Sequence, residues 1–464
     1  MEIDPILGLL GDPFAHAAER LKGEFDSLPA FHSSLSEMAD LSEVQAVLDE
    51  AAHRLGDNYP YFHPLYAGQM LKPPHPLARA AYSLAMAINP NNHARDGGRA
   101  SSEMEIEAVA EIAHMFGWMS PHLGHLTSSG TIANLEALWV AGQLSPGKRI
   151  VGSEQAHYTH KRISSVLKLN YDSIATHNCG RMSLDALETE LRKGDVGSVV
   201  VTLGTTAIGA VDPLDAIVQL REKYGFRIHV DAAYGGYFRL IRDSLGERAS
   251  LAYAAIEHAD SIVVDPHKHG LQPYGCGCVL FRDPGVGRLY KHDSPYTYFT
   301  SSELHLGEIS LECSRAGAAA VALWATQRLL PLKPGGEFAR GLEQGRAAAM
   351  ELDRRLREDA GRRFTPFAAG PPELDIVVWR IRASNANEAS TLAQHVFEAC
   401  AVKSLHLALV QLPRHWFGPL GNAEEEIGGQ LVTCLRSVLM KPEHKAWLER
   451  IWQVFDAACN EVLS

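Results

Sequence analysis

The stretch DPHKHG, Asp265–Gly270, follows directly on the apolar run SIVV and sets a lysine between two histidines. Burying an ammonium is costly unless it is paired or neutral, so Lys268 at the inner end of a buried strand needs a chemical reason. Four other candidate strands run into polar residues in the same way. HLT leads into Ser128, Ser129, Gly130 and Thr131, and RIVGS leads into EQAHYTH with His157. SVVVTL leads into Gly204, Thr205 and Thr206, and FRIHV into Asp231. Each member alone has an ordinary reading: SSGT is a good helix cap, Asp231 a turn residue, His157 a core histidine, the threonines strand and turn formers. Lys268 fits its ordinary reading least, and five such ends together are hard to assign to chance.

An amine, a carboxylate, a flat imidazole and a phosphate-holding helix start are the set that pyridoxal phosphate requires. Lys268 would form the Schiff base, with desolvation beside other cationic groups lowering its pKa enough to make it nucleophilic. Asp231 would keep the pyridine nitrogen protonated, so that the ring accepts electrons. Ser128–Thr131 would hold the phosphate at the positive end of a helix. His157 would lie against the ring. No metal is expected: His267 and His269, two apart on extended chain, face opposite sides. Neither Cys276 with Cys278 nor His157 with His160 completes a paired CxxC or HExxH pattern. No GxGxxG follows an early strand, which argues against a nicotinamide site.

These side chains converge only if the strands are parallel and end at one edge, where open α/β sheets bind ligands. The middle of the chain alternates short apolar runs (125–128, 149–153, 198–204, 226–231, 261–265, 278–282) with helical patterns (132–143, 183–194, 214–225). That alternation predicts a largely parallel sheet covered on both faces, an α/β fold. Residues 1–60 read as a helical N-terminal arm, 61–335 as a large cofactor-binding domain and 336–464 as a smaller α/β C-terminal domain. At 464 residues the chain exceeds one small core. A net charge of −12 leaves no footprint for nucleic acid and no polybasic membrane patch. The start MEIDPILGLLGDPF lacks the pattern of a signal peptide, and no apolar run approaches the ~18 residues of a spanning helix. Seven scattered cysteines fit reduced thiols, hence a soluble cytoplasmic protein.

The motifs HLTSSGTIANLEAL, EQAHYTHKR, LGTTAIGAVDPL, HVDAAYGG, DPHKHG and SRAGAAAVALWA resemble, in order and spacing, the group II pyridoxal-phosphate-dependent amino acid decarboxylases. That family includes the aromatic amino acid, glutamate and tyrosine decarboxylases. The likeness runs from about 63 to 442, and Lys268 stands 37 positions after Asp231. The resemblance implies a fold type I enzyme with a mostly parallel seven-stranded sheet, working as a homodimer with the site at the subunit interface. It implies that Lys268 binds the cofactor, His157 stacks on the ring, Asp231 pairs with the pyridinium and Ala233 lies beneath. Thr206 would contact the ring oxygen, while Ser129, Gly130, Thr131 and His267 would help hold the phosphate. Arg436 in LRSVLM matches the anchor for the substrate carboxylate. Tyr296 or Tyr298, in KHDSPYTYFTSSELHLGE, would return a proton to carbon after CO₂ leaves, against the plainer alternative that both pack an interface. Arg315 in ECSRAG reads equally as an orienting group and as a structural ion pair. The implied reaction is decarboxylation of an aromatic or acidic L-amino acid. The alternatives at the same site are an aldehyde-forming oxidative deamination, a lyase or an aminotransferase reaction. A non-catalytic homologue is disfavoured by the intact Lys268, Asp231 and His157. Two features depart from the family: the polar, Gly-rich stretch at 91–109 and His269 in place of a bulky aromatic.

Overall fold

The run VGSVVVT forms a strand whose seven residues are all buried, the signature of a strand covered on both faces. The protein is described by a computed structural model over residues 11–30, 40–93, 97–119, 121–291, 310–359, 362–417 and 431–463. In chain order the first seven strands are β1 (Leu123–Thr127), β2 (Arg149–Ser153), β3 (Tyr171–Ile174) and β4 (Val196–Thr202), then β5 (Arg227–Asp231), β6 (Ser261–Val264) and β7 (Gly277–Phe281). They make one sheet in the order β1-β7-β6-β5-β4-β2-β3. Only β7 runs against the rest, antiparallel to both β1 and β6. β1, β2, β4, β5 and β6 therefore deliver their carboxyl ends to a single edge.

The expected α/β fold is observed, with two differences from the sequence reading. β3 was not anticipated, because YDSI has exposed residues at its centre and lies on the sheet edge, where no continuous apolar run is needed. CVLFR, counted among the parallel set, is reversed. The connection 265–276 that precedes it contains no helix, and a parallel return would need a crossover.

A second sheet contains β8 (Phe364–Pro366), β9 (Ile376–Ile381), β10 (Ala408–Pro413) and β11 (Leu431–Val438), antiparallel in the order β10-β11-β9-β8. Its core holds Leu352, Phe364, Trp379, Val396 and Phe455. Residues 65–67, far earlier in the chain, join this layer: Ala67 N–H donates to the His406 carbonyl at 2.9 Å, and Val438 N–H to the Ala67 carbonyl at 2.8 Å. The helices Asp12–Gly23 and Leu41–Leu55 bury no residue, and Leu41, Leu48 and Leu55 stand exposed on the second of them.

Arg315 resolves as a structural ion pair. Its Nη1 lies 2.5 Å from Glu105 Oε1 and donates to the Leu126 carbonyl, while Nη2 donates to the Asn92 carbonyl. Glu105 also accepts from the Leu126 N–H and from the Asn92 amide. Burial alone would raise the Glu105 carboxyl, but Arg315 and these donors outweigh it and hold it below its ordinary range. The network fixes β1 against the Gly-rich stretch and the helix Arg99–Met115. Replacing Arg315 by Met strands that buried carboxylate, with an expected loss of about 3–5 kcal/mol in urea unfolding. A loss below ~1 kcal/mol would show that the pair is not needed to hold β1.

Candidate active site

The five strand ends surround a cavity of about 90 Å³. Its walls include seven of the expected residues: Gly130, Thr131, His157, Thr206, Asp231, Ala233 and Lys268. Asn134, Thr159, Thr202, Gly204, Tyr234 and Asp265 complete them. Gly130 opens the helix Gly130–Leu144, and a Cβ there would sit 2.4 Å from Asp265 Oδ1. Only glycine lets this helix start approach β6 so closely. Ser129 caps the helix by accepting from the Ile132 N–H, and Gly130 and Thr131 at its start line the cavity.

Lys268 Nζ lies 2.9 Å from Asp265 Oδ2. Burial pushes the amine down, but the Asp265 and Asp231 carboxylates outweigh it and its pKa is raised. This corrects the expectation of an amine made nucleophilic by neighbouring cations. The residue missed was Asp265 itself, three positions before the lysine, where a turn brings the two side chains together. His267 flanks the same carboxylate, its Nε2 at 3.6 Å from Asp265 Oδ2 and its Nδ1 at 2.8 Å from the Cys276 carbonyl.

Asp231, at 4% exposure, meets His160 Nε2 at 2.7 Å through Oδ2, and its Oδ1 accepts from the Ala233 N–H at 3.1 Å. Burial by itself would raise this carboxyl, but the His160 hydrogen bond and the charges of His160 and Lys268 hold it far below the usual range. Behind the pair stands His229, bonded to Ser261 Oγ and Asn134 Oδ1 and pushed down to about 3 by burial, so it is a neutral imidazole. His160 was not singled out for this role. One helical turn after His157 was its only signal; its reach to Asp231 depends on β4 lying between β2 and β5.

His157 Nδ1 lies 2.8 Å from Thr159 Oγ1, and burial lowers the ring's pKa, which favours the neutral imidazole. Arg436 donates through Nη2 to the Thr206 carbonyl, through Nε to the Ala207 carbonyl and through Nη1 to Gln69 Oε1. It thereby fixes the segment that carries Thr206. Ser128, Ser129 and His267 stand outside the cavity walls, with the Ser128 N–H donating to Glu312 Oε2. His269 turns away from the cavity to pair with Asp375, its Nε2 at 3.2 Å from Oδ2. Tyr296 and Tyr298 lie outside the described residues.

The cavity suits pyridoxal phosphate in chemistry. It presents an amine, an ionised carboxylate, an imidazole and a helix start, and Thr202 Oγ1 and Asp265 Oδ1 are buried there without a hydrogen-bond partner among the described residues. A polar occupant would satisfy such atoms.

Comparison with known proteins agrees. Residues 58–365 match the pyridoxal-dependent decarboxylase conserved domain. An L-tyrosine decarboxylase of Enterococcus faecium is 29% identical over 532 aligned positions, covering 87% of this chain and 86% of that one. A probable L-tyrosine/L-aspartate decarboxylase of Methanothermobacter thermautotrophicus is 27% identical, covering 73% of this chain and 88% of its own. The crystal structure of Oryza sativa TDC with PLP and tryptamine superposes with a TM-score of 0.76 at 18% identity, covering 97% of this chain and 98% of that one; this likeness speaks for the fold.

Replacing His160 by Ala removes the donor that stabilises the Asp231 carboxylate, with an expected loss of about 1.5–3 kcal/mol at pH 7. A depressed carboxyl contributes stability above its unfolded pKa of ~3.9 and loses it as pH falls. The gap between wild type and variant in urea unfolding should therefore stay full from pH 7 down to about pH 5 and narrow only as pH falls below ~4. A gap that stays constant would mean that His160 acts by packing alone.

Proposed function

Because the chain belongs to the pyridoxal-dependent decarboxylase family, we propose that it removes the α-carboxylate of an aromatic or acidic L-amino acid as CO₂ and releases the amine. The observation that carries this reading is the meeting of Lys268, Asp231 and His157 around one cavity. Pyridoxal phosphate, when bound, supplies the electron sink for the pair left behind as CO₂ departs.

The chain's own residues do the rest. Lys268 is the covalent anchor, and Asp265 Oδ2, 2.9 Å away, is placed to take the proton its ammonium must lose. Asp231, kept ionised by His160, holds a proton at the pyridine nitrogen. His157, neutral and tied to Thr159, offers its flat face to the ring. The start of the helix Gly130–Leu144, with Thr131, would hold the phosphate; Ser128 and Ser129, outside the wall, set the position of that helix start, and His267 steadies Asp265 beside it. Arg436 spends three of its five N–H donors on the 206–207 carbonyls and Gln69, leaving two for a substrate carboxylate. One of Tyr296 and Tyr298 returns the proton to carbon.

The arm formed by residues 1–60 belongs, in this reading, to a homodimer. Leu41, Leu48 and Leu55 recur every seven residues on one helix and are exposed in the single chain, a stripe suited to wrapping a second copy. The large and small domains would divide near 335, where the helix Glu337–Glu358 begins. All seven cysteines are unpaired, which supports a cytoplasmic location.

Purified protein mixed with pyridoxal phosphate should develop a visible absorption band that Lys268→Ala abolishes. CO₂ release across a panel containing L-tyrosine, L-aspartate and L-glutamate then identifies the substrate; release from none of them, with the band present, would remove the decarboxylase reading. Phe in place of Tyr296 and of Tyr298, one at a time, should stop amine formation in one case. Leu48→Glu with Leu55→Glu should turn a dimer into monomers by light scattering.

A further inference from the structure

His269, which the cofactor site does not use, belongs to the wall of a second and larger cavity of about 640 Å³. Its other walls come from residues 62–79, the start of the helix Glu337–Glu358 and residues 440–443. It shares no wall residue with the first cavity. Its volume falls within the roughly 300–1,000 Å³ typical of small-molecule sites.

The charge of this cavity is unbalanced. Its wall carries Lys72, Arg79, Arg340 and Lys441 against Glu337 and Glu443, with the Asp375 carboxylate acting on Lys72 from behind the wall. Lys441 is 3% exposed, and its Nζ donates to the Tyr66 carbonyl at 2.6 Å. Lys72 Nζ donates to the Met440 carbonyl at 3.3 Å. Among the described residues no carboxylate comes within 4.0 Å of either ammonium. Lys441 also stands over the Tyr66 ring at 5.2 Å, but a buried and a half-buried lysine side by side without a carboxylate partner are costly to keep as cations. Burial indeed pushes Lys72 down to about 8 and, with Lys72 beside it, Lys441 to about 7. A bound anion would keep both protonated. His269 Nδ1 is likewise buried, with no hydrogen-bond partner among the described residues.

A short chain of contacts leads from this cavity to the first. His269 Nε2 stands 3.2 Å from Asp375 Oδ2, and Tyr234 Oη donates to Asp375 Oδ1 at 2.5 Å. Tyr234 is part of the wall of the cofactor cavity. Asp375 is the one carboxylate serving both side chains, and it is 1% exposed. His269, Asp375 and Tyr234 thus form a continuous polar path between the two cavities.

We propose that the second cavity binds a small organic anion with at least two negative charges, held by Lys72, Lys441 and Arg340, and that its occupancy is felt at the cofactor site through His269, Asp375 and Tyr234. The space exceeds that of a bare phosphate ion, so the ligand is a polycarboxylate or a phosphate ester. The coupling rests on the reading of the first cavity as the cofactor site; the binding does not.

Calorimetric titration of the full chain with citrate, glycerol 3-phosphate and inorganic phosphate tests the binding and separates the two ligand sources. One of the two organic anions should bind at one site per chain, with inorganic phosphate at least tenfold weaker. Lys72→Met with Lys441→Met should weaken that binding at least tenfold; Arg340→Ala, an exposed change that leaves the core intact, should weaken it as well. Lys268→Ala should lose the cofactor band yet bind the anion as wild type does, so failure of the cofactor reading would leave this result standing. The binding proposal is overturned if neither organic anion binds wild type, or if affinity survives both the double variant and Arg340→Ala. For the coupling, the anion should shift the cofactor's absorption band in wild type and not in Asp375→Asn; an equal shift in both would refute it.

Discussion

Asp231 is a carboxylate closed off from water at the end of a central strand, and it can remain charged there only if its neighbours answer that charge. His160 and the Ala233 amide do so from within the protein, and Lys268 contributes from across the cavity. The requirement reaches outward. His160 must come from the helix after β2, so β2 and β5 must flank β4; His229, kept neutral by burial, stands behind the pair, bonded to Asn134 and Ser261. The strand order, a helix start and several polar contacts in the interior follow from keeping one negative charge where a cofactor nitrogen can meet it.

The same logic governs Lys268 with the opposite sign. A lone amine in this position would be expected to shed its proton, yet Asp265 pairs with it and keeps it an ammonium. The site therefore sets the Asp265 and Asp231 carboxylates around one ammonium, with Asp265 at 2.9 Å from it and the His160 ring hydrogen-bonded to Asp231. Residues farther out serve position: Arg436 ties the 206–207 turn, and Arg315 with Glu105 ties β1 to the helix behind it.

Much of this was legible in the sequence because it rests on local patterns. Valine-rich runs mark strands buried on both faces wherever they fall, and the polar residue just after each run is at a strand end by construction. Lys268, Asp231, His157 and the helix start at Gly130 were found in that way. What depended on which strand lies beside which was not legible. The His160–Asp231 bond needs β3 displaced to the edge, the reversal of β7 turns on a helix-free connection, and the partner of His269 lies more than a hundred positions away at Asp375. Asp265 stands three positions before Lys268, but only the turn between them shows that its carboxylate meets the amine.

The reversal of β7 carries one more implication. The segment bearing Lys268 leaves the sheet from β6 and re-enters it at once as β7, between β6 and β1. Both ends of the Lys268 segment are thus stitched into the same sheet, whereas residues 62–79 and the 204–207 turn reach the cavities from separate connections and from the second layer. Descendants of such a chain can exchange what they admit by rewriting those outlying connections, while the lysine stays fixed. A fold arranged in this way separates the inheritance of chemistry from the inheritance of taste.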